Sequence, residues 1–348
     1  MGRYPIPPIA GSGGRGSHEI SAGAAQRRGS TIDSFVAVDD GNGTTLDWRA
    51  RIAIAALIGL AAAAYCILSL SRAHVPSDFE FWWRAARVLL SGSDPYTLVE
   101  NTSAWPLPDR LFYPMPALLV TMPVAWMPLP IAAGMILGLG SGVLAWALSR
   151  DGLARLWLFA SPSFVMALKV GQWSPILTVA ALVPALGWLA AVKPTLGLGA
   201  LFYRLDWRAF AGAALLGIAS IAVLPSWPRE WLANLHHVAS HPPPIATPLG
   251  VVLILAAFRW RTPEGRLLLA MACVPQLLFF ADQLPVYLVA RTRTQMAALA
   301  FCGTLAWLAW FVQLKSGDLY VPMAAPYVMI GIYAPALLLV LRGRRQRQ

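Results

Sequence analysis

The chain has 348 residues, 57% of them hydrophobic and only 12% charged, with a mean hydropathy of +0.59. Soluble domains carry about 25% charged residues, so this composition excludes an ordinary soluble fold. The net charge of +11 does not signal nucleic acid, because the arginines stand at the ends of apolar runs, where they orient spans, rather than on one polar face.

At about 20 residues per crossing, the length accommodates roughly eight to ten spans, so the predicted fold is an all-α polytopic membrane bundle. Residues 1–46 are rich in Gly, Ser and Pro, with Arg3, Arg15, Arg27 and Arg28 spread along them. They contain no apolar core of signal-peptide length and read as a disordered cytoplasmic tail. The Asn42-Gly43-Thr44 sequon carries no meaning on that side. The membrane domain is predicted over 47–341, opening with a span from Ile52 to Leu70 behind Arg49 and Arg51.

A polar loop over 71–112 follows, and its first part has helical spacing, with apolar residues at 79, 82, 83, 86, 89 and 90. Glu80, Arg84, Arg87 and Ser91 share the other face, so a tryptophan-bearing helix lying flat at the membrane surface is predicted, stopped by Gly92. Ser77-x-x-Glu80 is a capping box, and Asp78 falls in the first turn, where negative charge favours the helix dipole. Capping alone therefore accounts for both acids, and Glu80 has the favourable i,i+4 order to Arg84.

Pro114, Pro116, Pro123, Pro128 and Pro130 interrupt the run 113–131, and Lys193-Pro194 interrupts 185–203. Such interruptions predict broken or re-entrant helices. Arg150, Arg155, Arg204 and Arg208 read as cytoplasmic. A second polar insertion over 225–248 carries His236, His237 and His241 beside Pro242-Pro243-Pro244, without metal-ligand spacing. Late spans are expected over 249–258, 267–290, 296–314 and 323–341, with Asp282-Gln283 reading as a hairpin turn. Residues 342–348 form a basic tail in which Arg342, Arg344, Arg345 and Arg347 oppose only Lys315, so the C-terminus is assigned to the cytoplasm. Cys66, Cys273 and Cys302 lie in apolar segments with neither disulfide nor zinc spacing, and no metal or cofactor is predicted.

Five short segments occur in a telling order: Asp78-Phe79 after the first span; Gly92-Ser93-Asp94-Pro95-Tyr96; Phe112-Tyr113-Pro114-Met115-Pro116; Gly171-Gln172-Trp173; and Lys193-Pro194 before Leu205-Asp206-Trp207-Arg208. Over about residues 50–300 the chain resembles the family 87 membrane glycosyltransferases of the GT-C superfamily, which include polyprenol-phosphate-mannose-dependent mannosyltransferases. Trp173 stands where that family more often has Asn.

The resemblance implies a GT-C-like bundle with its active site on the exoplasmic face. It also implies a polyprenyl-phosphate sugar donor and a glycan or glycolipid acceptor. On it, Asp78 is the candidate general base for an inverting transfer, with Glu80 as second candidate. Lys193, an ionisable residue inside an apolar stretch, is the candidate for offsetting the leaving phosphate, together with Arg84 and Arg87. Tyr113, Gln172, Trp173, His236 and His237 are candidate substrate contacts. A secondary transporter or lipid-linked-sugar flippase is the alternative reading, although no matched repeat halves are visible in the sequence.

Overall fold

The computed structural model describes residues 46–73, 76–237, 241–314 and 321–343. The predicted N-terminal tail, the sequon, Lys315 and Arg344, Arg345 and Arg347 lie outside the described residues. All the regular elements described are helical, in the order α1 (Trp48–Ser71), α2 (Asp78–Leu90), α3 (Met115–Thr121), α4 (Leu129–Leu148), α5 (Pro162–Val170), α6 (Ser174–Leu182), α7 (Pro194–Tyr203), α8 (Trp207–Val223), α9 (Trp227–Leu235), α10 (Pro263–Cys273), α11 (Arg293–Leu314) and α12 (Ala325–Arg342). Short 3₁₀ turns join many of them, and Met329–Tyr333 within α12 is wound as a π-helix.

Four of these helices, α1, α4 with its extension to Asp151, α11 and α12, are long and apolar enough to cross a membrane. The pair α8 and α9 passes the same test together but bends by 101° at its junction. This is the architecture of a helical membrane protein. The eight to ten runs counted in the sequence are mostly not long helices. α3, α5, α6, α7 and α10 span only seven to eleven residues, each with a proline in its first turn, where the missing N–H costs nothing. The predicted span over 267–290 is not one helix. α10 stops at Cys273 because Pro275 forces Val274 into extended backbone (ψ 138°), and 3₁₀ turns at Phe280–Asp282 and Leu284–Val289 follow. The 249–258 run likewise winds as 3₁₀ over Val251–Arg259.

α1 starts at Asp47, whose carboxylate accepts the Ala50 N–H at 2.6 Å. It packs antiparallel on α4 through a seam without bulk. A Cβ at Gly59 would meet the Gly138 carbonyl oxygen at 2.9 Å, and one at Gly138 would meet the Ala63 Cβ at 2.7 Å. Gly134, Gly138 and Gly142 recur every fourth residue along α4, which is how small residues bring membrane helices into backbone contact. Leu57, Leu60 and Leu68 face outward from α1, as a lipid-facing surface requires. At the arginine-bearing ends of the elements, guanidinium groups lie over exposed tryptophans: Arg49 on Trp48, Arg51 on Trp146, Arg208 on Trp207 and Arg261 on Trp260. Trp and Arg partition together at membrane–water boundaries, where an apolar ring and a hydrated charge are both satisfied.

α2 forms where its spacing predicts, but protein encloses it. Phe79, Phe81, Trp82, Trp83, Ala85 and Ala86 are buried, whereas Leu90, expected on the apolar face, is exposed. The loop after Gly92 accounts for the difference, because Trp105 and Phe112 close over Phe81 and Tyr113 stacks on Trp82. The second insertion then docks on that loop. Trp231 Nε1 donates to the Phe112 carbonyl at 2.8 Å, and the buried Asn234 amide donates to the carbonyls of Tyr96 and Leu111 at 3.0 and 3.2 Å. The two polar insertions thus form one cap over the helices.

Candidate functional site

Under that cap, residues from distant segments converge. α5 ends at Gly171, which takes left-handed backbone (φ 73°, ψ 47°) and reverses the chain into α6. A Cβ there would lie 2.6 Å from the Cβ of Phe79, so only glycine lets this turn press against the start of α2. The contact delivers the next residue. Gln172 Nε2 donates to Asp78 Oδ2 at 2.8 Å, while its own Oε1 accepts the Trp173 N–H at 2.9 Å. The side chain is held at both ends, so its amide group presents a donor to the carboxylate.

The same turn reaches a third segment, because Ser174 Oγ donates to the Ala281 carbonyl. That bond anchors the 3₁₀ turn carrying Asp282, whose Oδ1 accepts from Lys193 Nζ at 2.8 Å. Lys193 sits at the break between the Pro184–Val192 turn and α7, in neither helical nor extended backbone (φ −146°, ψ 84°). Asp282 is nearly inaccessible, its side chain 4% exposed, against 18% for Lys193. A pair this enclosed is held together by the cost of separating it, since either partner alone would be a buried uncompensated charge.

The two halves sense each other. α2 lies outside the four span-length helices, and the Asp78 carboxyl is half-buried at its surface but set in protein. Burial pushes it from its ordinary 3.8 up to about 6; the Lys193 ammonium pulls it down and the Asp282 carboxylate pushes it up. Tyr113 lies within the influence of Asp78, Asp282 and Gln172. His241 joins from the second insertion: burial holds its imidazole below the ordinary value, with Asp282 drawing it up and Lys193 pushing it down.

The other predicted residues go elsewhere. Glu80 completes the cap by donating its N–H to Ser77 Oγ at 3.3 Å, and its carboxylate holds Arg84 Nη2 at 2.6 Å. Arg87 lies over the Trp83 ring and reaches the Ala125 carbonyl at 3.4 Å, fastening α2 to the turn after α3. Neither arginine enters the network that joins Asp78, Gln172, Lys193 and Asp282. Trp173 is fully buried against Trp82. His236 and His237 are exposed at the end of α9, with His237 near Glu100 rather than beside the carboxylates. Among the described residues, no three His, Cys, Asp or Glu side chains gather as metal ligands would.

No family model, curated protein or solved structure matches this chain. Its chemistry is therefore argued from the geometry. A half-buried carboxylate with a raised pKa can take a proton near neutral pH, and a neighbouring ammonium can offset a developing anion. Sequence reasoning assigned no role to Asp282, and it read His241, with His236 and His237, only as a polar contact to donor or acceptor. An acid inside an apolar run was the available signal for Asp282, and it read equally well as a turn, which it also is.

Proposed function

We propose that the chain is an integral-membrane glycosyltransferase moving a sugar, mannose in the first instance, from a polyprenyl-phosphate donor to an exoplasmic glycan or glycolipid hydroxyl. One observation carries this reading. Asp78, Tyr113, Gln172 and Lys193, drawn from four of the segments on which the resemblance rests, gather at one locus beside both polar insertions. In the proposed step, the acceptor oxygen bonds to the anomeric carbon as the bond to the donor phosphate breaks. Asp78 takes the hydroxyl proton, and Lys193, released in part from Asp282, offsets the charge left on the phosphate. The proposed topology has both termini in the cytoplasm and the cap outside, with the short helices paired into broken spans of a GT-C-like bundle in the cell membrane.

The enclosed Lys193–Asp282 pair also favours a second reading, a transporter, because ionisable pairs inside apolar segments mark substrate pathways. Proteoliposomes supplied with radiolabelled polyprenyl-phosphate mannose separate the two. Label passing to acceptor supports transfer. Label crossing the bilayer with no new glycosidic product supports transport and refutes the transferase reading.

A further inference from the structure

One end of the bundle holds an arginine cluster that plays no part in the site described above. α7 runs away from Lys193 for ten residues, about 15 Å, and its last carbonyls, those of Phe202 and Tyr203, accept from Arg266 Nε and Nη2 at 2.8 and 3.3 Å. Arg266 also holds the Arg261 carbonyl at 3.0 Å, bringing the start of α10 to the end of α7. Arg291, just before α11, grips Glu264 of α10 through two nitrogens at 2.8 and 2.6 Å. Arg259 donates to the Gly343 carbonyl at the end of α12. The ends of α7 and α12, the starts of α10 and α11 and the turn ending at Arg259 therefore meet, and bring with them Arg259, Arg261, Arg266, Arg291, Arg293 and Arg342. Glu264 is the one carboxylate that these bonds draw in, and Arg291 already holds it.

Between them lies a shallow cleft of about 40 Å³, lined by Arg259, Thr262, Arg291, Gln295, Gly343 and the Glu264 carboxylate that Arg291 holds, among others. That is room for roughly three water-sized groups, the scale of one phosphate. Arg259 Nε is buried and has no hydrogen-bond partner, and a buried donor left unsatisfied is costly. Arg266, by contrast, spends its donors on backbone carbonyls, with Glu264 near enough to act on its charge.

We propose that this cleft binds the phosphate of an anionic membrane lipid. The guanidinium fork matches phosphate oxygens in geometry and charge. A lipid is favoured over a free anion by what surrounds the cleft. Phe258 and Trp260 stand 75% and 56% exposed beside Arg259 and Arg261, and the wall that carries Leu339 and the buried Val340 is a helix of membrane-crossing length that also exposes Leu338. An acyl chain along that wall would hold its headgroup at the level of the Arg–Trp pairs, where basic clusters meet anionic headgroups. The inference is independent of the transferase reading.

Native mass spectrometry and thermal unfolding of the full chain in neutral detergent test it, with phosphatidylglycerol, phosphatidylcholine and inorganic phosphate as probes. Phosphatidylglycerol is expected to bind tightly and raise the unfolding temperature, with little effect from the other two. Arg261→Gln with Arg342→Gln removes two exposed charges without touching the buried contacts, and is expected to weaken phosphatidylglycerol binding by about fivefold per arginine. Arg259→Gln is expected to weaken it further, whereas Arg72→Gln, at the exposed end of α1, leaves it unchanged. Equal binding of phosphatidylcholine overturns the proposal, as does phosphatidylglycerol binding indifferent to all three cluster substitutions. An equal effect of inorganic phosphate overturns its lipid part.

Discussion

Asp78 gives the site a signature that needs no substrate. Its folded pKa of about 6 lies above the ordinary 3.8. Between those values the folded protein keeps a proton that the unfolded chain has lost, so the folded state binds more protons and stability falls as pH rises. The contribution is fully present below about 4 and is lost by the time pH passes 6. At 1.36 kcal/mol per pKa unit the difference is about 3 kcal/mol, an upper figure because the carboxylate retains some hydration. Asp78→Asn keeps an oxygen that can accept from Gln172 but removes the titration. The stability of the variant relative to the parent should therefore improve by up to about 2 kcal/mol between pH 4.5 and pH 7.5. Unfolding of both proteins in detergent at a series of pH values measures it. A difference that stays flat across that range would refute the raised carboxyl, and with it the argument that Asp78 is poised to take a proton near neutrality.

The remaining contacts make further demands. Gly171→Ala forces a left-handed alanine against Phe79 and should cost at least about 2 kcal/mol, while loosening Gln172 from Asp78; an unchanged unfolding temperature would contradict the geometry. Lys193→Met strands Asp282 as a buried lone carboxylate at a cost of about 3–5 kcal/mol, whereas adding Asp282→Asn should restore most of that stability but leave donor binding weak. Donor KM at the parent value in the double variant would remove Lys193 from the donor site. A cysteine introduced by Ser93→Cys, with Cys66, Cys273 and Cys302 replaced, should react with an impermeant thiol reagent in intact cells, whereas one introduced by Gln348→Cys should react only after permeabilisation. The opposite pattern would invert the topology.

The sequence reveals most where local signals act alone. α1, α11 and α12 lie close to the apolar runs that announce them, and the Ser77 cap and Gly92 stop bound α2 as expected. It reveals less where tertiary contacts decide. The periodicity of α2 identifies a helix, but not that Trp105 and Phe112 would cover it, because those residues come from a loop without period. Hydropathy counts 267–290 as a span, while Pro275 and the Asp282 turn break it. The Lys193–Asp282 pair joins residues 89 positions apart, and the Gln172–Asp78 bond joins residues 94 apart. No window of sequence contains either. Gly171 carried the clearest unused clue: a glycine before Gln172 marks a chain reversal, and that reversal aims the amide at Asp78.

The central claim is that Asp78 acts as a base toward an acceptor hydroxyl, and one measurement addresses it most directly. The rate of mannose transfer from radiolabelled polyprenyl-phosphate mannose is compared for purified parent protein and Asp78→Asn, with donor binding and folding verified for both. The account predicts a folded variant that still binds donor but transfers about 10²–10⁴-fold more slowly. A folded Asp78→Asn protein that transfers mannose at the parent rate would contradict it.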